Sequence, residues 1–238
     1  VTKAMNYHTL LLNEEKEDIE IAGFLAASLA WGQRPTIIKK CKELMQLMDY
    51  APHDFVMQAE AQDYERFCNF KHRTFNSYDC VYFLRSLANI YRHHGGLENV
   101  FTQAYQKHQD MFEVLKEWYS VFTSLPAEAR VLRHIANVEK GSAAKRVNMF
   151  LRWMVRHDGE VDFGLWKNIP TSALLIPLDL HTGNVSRQLG LLTRNQNDRK
   201  AVEELTARLR EMDPVDPIRY DFSLFGLGAF EKYNHSNL

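Results

Sequence analysis

Two stretches of the chain carry side chains whose type and setting suit a reaction. The first runs Ile176-Pro177-Leu178-Asp179-Leu180-His181-Thr182-Gly183-Asn184-Val185-Ser186-Arg187-Gln188-Leu189-Gly190-Leu191. Apolar Ile176 and Leu178 flank Pro177, so the approach is expected to be extended, because proline disfavours helix in the residue before it. Asp179 is then the natural N-cap of a helix on which Val185, Leu189 and Leu192 recur at helical spacing. The positive end of a helix dipole favours the ionised form of a carboxylate placed there. A fixed anion of that kind stabilises a developing sugar cation in glycoside cleavage. Capping alone would also account for Asp179, since Asp is a favoured cap anywhere. His181, two residues on, is either a neighbour of that carboxylate or a structural histidine.

The second stretch is Lys140-Gly141-Ser142-Ala143-Ala144-Lys145-Arg146-Val147-Asn148-Met149-Phe150-Leu151-Arg152-Trp153-Met154-Val155-Arg156, with five basic residues and no acid. Ser142 is expected to cap a basic helix through Val155. Gly141, Ser142, Ala143 and Ala144 are small, so backbone N–H groups at the helix start can meet a phosphate closely. Lys145 falls in the first turn. A lysine beside other cations and partly desolvated gives up its proton more readily and becomes a nucleophile. The plainer alternative is a solvated basic face on a helix whose other side, Val147, Phe150, Leu151 and Met154, is core. A third segment, Ala27-Ser28-Leu29-Ala30-Trp31-Gly32-Gln33-Arg34-Pro35, ends one helix at a glycine and presents Gln33 and Arg34 before the next. Gln and Arg are side chains that read base edges, although an ordinary helix–helix turn has the same look.

The elements that must hold these residues read as helices throughout. Ile19, Ile21, Ala22, Leu25, Ala26 and Leu29 form an apolar face entered through Glu14, Glu15, Glu17 and Asp18. Pro35 opens a second helix with Ile37, Ile38, Cys41, Leu44, Met45 and Leu47. Asn76 or Ser77 caps a third, which runs to Tyr91 and stops at Gly95-Gly96. A further helix is expected from Tyr105 to Phe122, another from Asn197 or Asp198 to Leu209, and a last after Asp216-Pro217. No run alternates apolar and polar residues at strand length, so about ten helices with short connectors make the chain all-α. Asp213, Asp216 and Asp221 lie among prolines and read as caps and turns.

Composition narrows the function classes. The net charge of -1 gives no global polycation, which weighs weakly against nucleic acid, because a local patch can hide in a neutral total. Cys41, Cys68 and Cys80 form no CxxC pair, which excludes a four-cysteine zinc or iron–sulfur site and suggests no disulfide framework. The ten histidines show no HExxH or other ligand spacing, and there is no GxGxxG, GxxxxGK[ST] or GxSxG, so neither a metal nor a cofactor is expected. No apolar run reaches membrane-spanning length and Val1 to Asn6 do not look like a signal peptide, so a cytoplasmic location without membrane association is expected.

Taken in order, these segments resemble the helix-hairpin-helix DNA glycosylase superfamily of the endonuclease III class. The block Leu178 to Leu191 is similar to that family's V-D-T-H-V-x-R-V-x-x-R-L-G-L pattern, with one or two residues of slippage. Leu29-Ala30-Trp31-Gly32-Gln33 looks like its early Leu-Ser-x-Gln turn, and Phe222-Ser223-Leu224-Phe225-Gly226-Leu227-Gly228 like its closing helix. The hairpin signature L-P-G-[VI]-G-x-x-[TK]-A is not intact, since only Gly141 precedes the helix. The distance from Lys145 to Asp179 exceeds the usual one and is similar to that of an archaeal 8-oxoguanine glycosylase branch. The nearest resemblance is to a bacterial family with S-x-A-K-R-x-x-M-F-L-R-W-M-V-R and P-L-D-x-H blocks, assigned to the superfamily by similarity.

The resemblance implies a two-lobed helical fold with a modified hairpin, a central lobe over 19–175 and a second lobe from 1–18 plus 176–238. It implies double-stranded DNA with a damaged base as partner and a monomer; the iron–sulfur loop found in many members is absent, consistent with the cysteine positions, and no cofactor is expected. Lys145 and Asp179 would be catalytic. Gln33, Arg34, Gly141, Ser142, Ala143, Arg146, Arg152 and His181 would hold DNA. Arg156 could add charge beside them. Trp31 and Trp153 would receive the base, with Trp166 a further stacking candidate, although core packing would account for each of the three. The competing readings are a non-catalytic nucleic-acid binder of the same fold and a helical protein-interaction domain.

Overall fold

The computed structural model describes residues 15–158 and 161–229. The protein is all-α: α1 (Lys16–Leu29), α2 (Arg34–Leu47), α3 (Pro52–Gln58), α4 (Ser77–His93), α5 (Leu97–His108), α6 (Met111–Phe122), α7 (Lys145–Val155), α8 (Leu180–Gln188), α9 (Arg199–Met212) and α10 (Asp221–Ala229). Short 3-10 turns at Val131–His134 and Pro217–Tyr220 lead into α7 and α10. Among the described residues no strand forms; only isolated bridges join His72 to Phe75 and His157 to Phe163.

α1 is the axis of the molecule. Its residues from Asp18 to Ala27 and Leu29 are buried, and it packs against α2, α3, α5 and α7. Gly23 permits the approach of α7: a Cβ there would stand 3.0 Å from Met154 Cε. Around α1 the aromatic core joins Phe24, Phe83, Trp118, Phe122, Phe150 and Phe101 through edge and stacked contacts. Trp166 is 1% exposed and donates from Nε1 to Glu20 Oε1 at 2.8 Å, so it is a core residue and not a stacking platform. Tyr91 donates to the other oxygen of Glu20 at 2.7 Å. Burial nonetheless pushes the Glu20 carboxyl above its ordinary range.

Towards the C-terminal end α8 packs on α10, and α9 on the Pro217–Tyr220 turn. The lobe boundary expected at residue 18 falls inside α1, and the expected contributions of 1–14 and 230–238 lie outside the described residues. The helix expected from Tyr105 to Phe122 is two helices. Gln109 takes a left-handed conformation at φ 53, and the Asp110 side chain accepts from the Phe112 and Glu113 amides, capping α6 afresh. α3, which the sequence reading missed, starts at Pro52. α8 ends at Gln188, leaving Leu189 exposed rather than on an apolar stripe. The thiols of Cys41 and Cys80 are buried in α2 and α4, and burial pushes both up, Cys41 to about 12; Cys68 is exposed.

Candidate active site

Lys145 and Asp179 open onto one cleft of about 990 Å³. The Lys145 wall is built by a turn. Asn137 Oδ1 accepts from the Glu139 and Lys140 amides at 2.9 and 3.2 Å, and the Ser142 amide closes back on the Asn137 carbonyl at 3.1 Å. Gly141 sits at φ 82, a conformation that favours glycine, with open space where a Cβ would stand. Ala144 is left-handed at φ 49, so α7 begins at Lys145 with no side chain on its first amides. Ser142 was expected to cap α7. It accepts from the Ala144 amide at 3.1 Å instead, because the left-handed Ala144 turns the chain between them. Uncapped first-turn N–H groups are left to whatever occupies the cleft.

Asp179 has the extended backbone of an N-cap, and its Oδ1 accepts from the Thr182 amide at 3.0 Å. Its carbonyl accepts from Asn197 Nδ2 at 3.0 Å, and Asn197 is in turn gripped by Arg187 at 2.5 Å. Among the lining residues Arg133, Lys140, Lys145 and Arg146 are basic, and Asp179 is the one acid. The cleft therefore favours an anionic occupant. Lys145 Nζ reaches Met149 Sδ at 3.5 Å within its own helix.

A family model for proteins of unknown function, DUF2400, matches residues 8–230, which takes in every element of this cleft. The chain belongs to the DUF2400 family. No curated protein and no solved structure matches this DUF2400 protein.

The cleft of the DUF2400 protein gathers some of the residues singled out in its sequence and not others. Gly141, Ser142 and Ala143 line it beside Lys145 and Asp179, and so does Trp31. The Trp31 ring is flanked by Arg73 and Arg146 at 5.5 and 5.8 Å, with His72 and His134 edge-on. Gln33 and Arg34 are exposed at the start of α2, and His181 is exposed against Phe225; none of these lines the cleft. Trp153 does not line it either.

Two expected phosphate contacts are structural. Arg146 spends its guanidinium on the Ser28 and His134 carbonyls at 2.8 and 3.0 Å, tying the end of α1 to the turn before α7. Arg152 is 2% exposed and binds Asp162 at 3.1 Å and Asp221 at 2.5 Å, because α7 is buried around more of its circumference than its apolar stripe implies. Arg156, a weaker candidate, is likewise held by Asp158, Asp162 and Asp216. Sequence reasoning missed Arg133 and read Asp221 as part of caps and turns, whereas Asp221 is a buried ion-pair partner. Of the two caps expected for α9, Asn197 or Asp198, it is Asp198 that caps, and Asn197 lines the cleft. Among the described residues no helix is long and apolar enough to cross a membrane, and no group of three His, Cys, Asp or Glu could hold a metal.

Proposed function

We propose that this DUF2400 protein is a DNA repair glycosylase that removes a damaged base by N-glycosidic cleavage, with Lys145 as nucleophile. One observation carries the reading: the amine and the carboxylate that such a reaction needs wall the same basic cleft. Its volume of about 990 Å³ lies at the upper end of small-molecule sites and has room for a flipped nucleotide. Lys145 Nζ, as free amine, attacks the sugar C1′; the C1′–N bond breaks and the base leaves with the proton the nitrogen gives up. Asp179, fixed as the cap of α8, faces the positive charge that develops on the sugar. The C1′–O4′ bond of the resulting aminal then breaks, O4′ taking a proton, and the Schiff base so formed at C1′ opens the way to β-elimination and strand cleavage. Lys140, Arg133 and the amides of the Gly141–Ala144 turn hold the flanking phosphates. With this reading go double-stranded DNA as partner and a cytoplasmic monomer.

Borohydride trapping tests it, against oligonucleotides carrying 8-oxoguanine, uracil, thymine glycol or an abasic site. The expected result is a covalent adduct in wild type that Lys145→Gln abolishes, together with base release that Asp179→Asn abolishes. Salt-dependent binding with neither adduct nor base release refutes catalysis and leaves a nucleic-acid binder; no binding at all leaves a protein-interaction domain.

A further inference from the structure

An arginine stands where the backbone favours glycine. The bridge between His72 and Phe75 closes a two-residue turn: the His72 amide donates to the Phe75 carbonyl at 2.8 Å, and the Phe75 amide donates to the His72 carbonyl at 2.9 Å. Of the two residues between them, Arg73 is left-handed at φ 56 and Thr74 is not. Glycine ordinarily takes that first central position, because a side chain there is strained. The turn is fixed on both sides. His72 and Phe75 are buried, and His72 Nε2 meets the Trp31 carbonyl oxygen at 3.0 Å. Trp31 lines the cleft. Arg73 itself is exposed, and its guanidinium is held 5.5 Å from the centroid of the Trp31 ring. Gly32 leaves room for it, since a Cβ there would stand 2.9 Å from Arg73 Nη1.

Two guanidiniums therefore share one indole and differ in what they do. Arg146 spends its donors on the Ser28 and His134 carbonyls and ties the fold together. Arg73, among the described residues, is in no ion pair and no hydrogen bond, so the ring contact leaves its donors free. A guanidinium resting on an aromatic ring keeps its planar donor fork, which matches a phosphate bidentately. Backbone strain of this kind persists only where the surroundings impose it, and it is concentrated at ligand clamps. The cleft beside it favours an anion through Arg133, Lys140 and Lys145. We propose that Arg73 is a phosphate-binding residue: from the Trp31 wall its guanidinium clamps a backbone phosphate of the strand whose flipped nucleotide enters the cleft. The inference rests on the glycosylase reading for that strand. It adds a contact that sets affinity and register and carries no preference among bases.

Substitution at a left-handed position separates binding from stability. Arg73→Gly removes the guanidinium and relieves the backbone, so it should melt no lower than wild type. Binding is followed by fluorescence anisotropy on a duplex carrying a tetrahydrofuran abasic-site analogue, from about 50 to 200 mM salt. Arg73→Gly and Arg73→Gln should each lower the log–log slope by about 0.9, the share of one phosphate, and Arg73→Lys should keep it. A single neutral methylphosphonate, moved along the strand, should find one position that weakens wild type and leaves Arg73→Gly unaffected. Unchanged slopes overturn the proposal, and so does a methylphosphonate penalty equal in wild type and variant at every position. An Arg73→Gly protein that melts well below wild type overturns it too, since the arginine is then a brace for Trp31. The analogue has no base to release, so this proposal and the glycosylase reading fail separately. If wild type gives neither borohydride adduct nor base release on any lesion while Arg73→Gly still loses slope, the glycosylase reading alone is refuted. No duplex binding by wild type overturns both.

Discussion

Asp179 has two roles in this account, a cap for α8 and an anion for the cleft, and substitution separates them. The cap consists of one hydrogen bond, Thr182 N to Asp179 Oδ1 at 3.0 Å. Asn carries the same oxygen and caps about as well as Asp, whereas Ala carries none and costs about 1 kcal/mol. For a chain of this size that cost corresponds to roughly 2–4 °C in melting temperature. Asp179→Ala should therefore melt about 2–4 °C below wild type, and Asp179→Asn within about 1 °C of it. Base release should respond differently, since both variants lack the charge. Losing an electrostatic stabiliser of the transition state costs about 10²–10³ in rate, and Asn should lose as much as Ala. The assays are a calorimetric melt and single-turnover base release on the lesion found by trapping. An Asp179→Asn protein that melts as low as Asp179→Ala refutes the capping argument; one that releases base at the wild-type rate refutes the catalytic one.

Other parts of the structure carry predictions of their own. Glu20 is a buried carboxyl with a raised folded pKa, so its stabilising contribution is complete below its unfolded value and is lost as pH rises through the folded one. Glu20→Gln keeps an acceptor for Trp166 and can donate to Tyr91, so its melting temperature should rise relative to wild type between pH 5 and 8. The gain is about 1.4 kcal/mol per unit of the wild-type shift, and a constant difference across that range would contradict it. Arg152→Met strands Asp162 and Asp221 and should cost about 3–5 kcal/mol in urea unfolding, more at pH 8 than at pH 5, because both carboxyls are already pushed up. Gly228→Ala forces a methyl onto the His181 carbonyl and should cost about 1–3 kcal/mol; a neutral result would mean that α10 slides freely on α8. Arg133→Ala and Lys140→Ala should each flatten the salt dependence of duplex binding by about 0.9 in log–log slope, read by fluorescence anisotropy, with little change in melting.

Local signals made much of this legible. Pro177 before Asp179 announced a cap, the acids before Ile19 announced α1, and Asn76 announced α4; each works within a single turn of helix. The failures share a physical cause. Arg152 looked like part of a basic run because its partners, Asp162 and Asp221, stand 10 and 69 residues away, and pairing across that distance is invisible to periodicity. Arg146 was misread for the same reason, its acceptors being carbonyls on α1 and on the turn at His134. At Gln109 and Asp110 the apolar spacing runs on through the break, so only the Asp cap signalled two helices. Ala144 gives no hint of a left-handed conformation, since alanine pays strain there that glycine would not.

The three cysteines give the protein a built-in gauge of its own opening. Alkylating reagents act on the thiolate, and at pH 8 a thiol with a pKa of about 12 offers roughly one thiolate in 10⁴ molecules, even before its burial in α2 is counted. Cys80, deeper in α4, is more protected still. A maleimide dye added to the folded chain should thus attach at Cys68 alone, which does not line the cleft and leaves it clear. Any second label must wait for α2 or α4 to part from the core. The slow phase of labelling, counted by mass, then clocks how often the centre of the molecule comes apart.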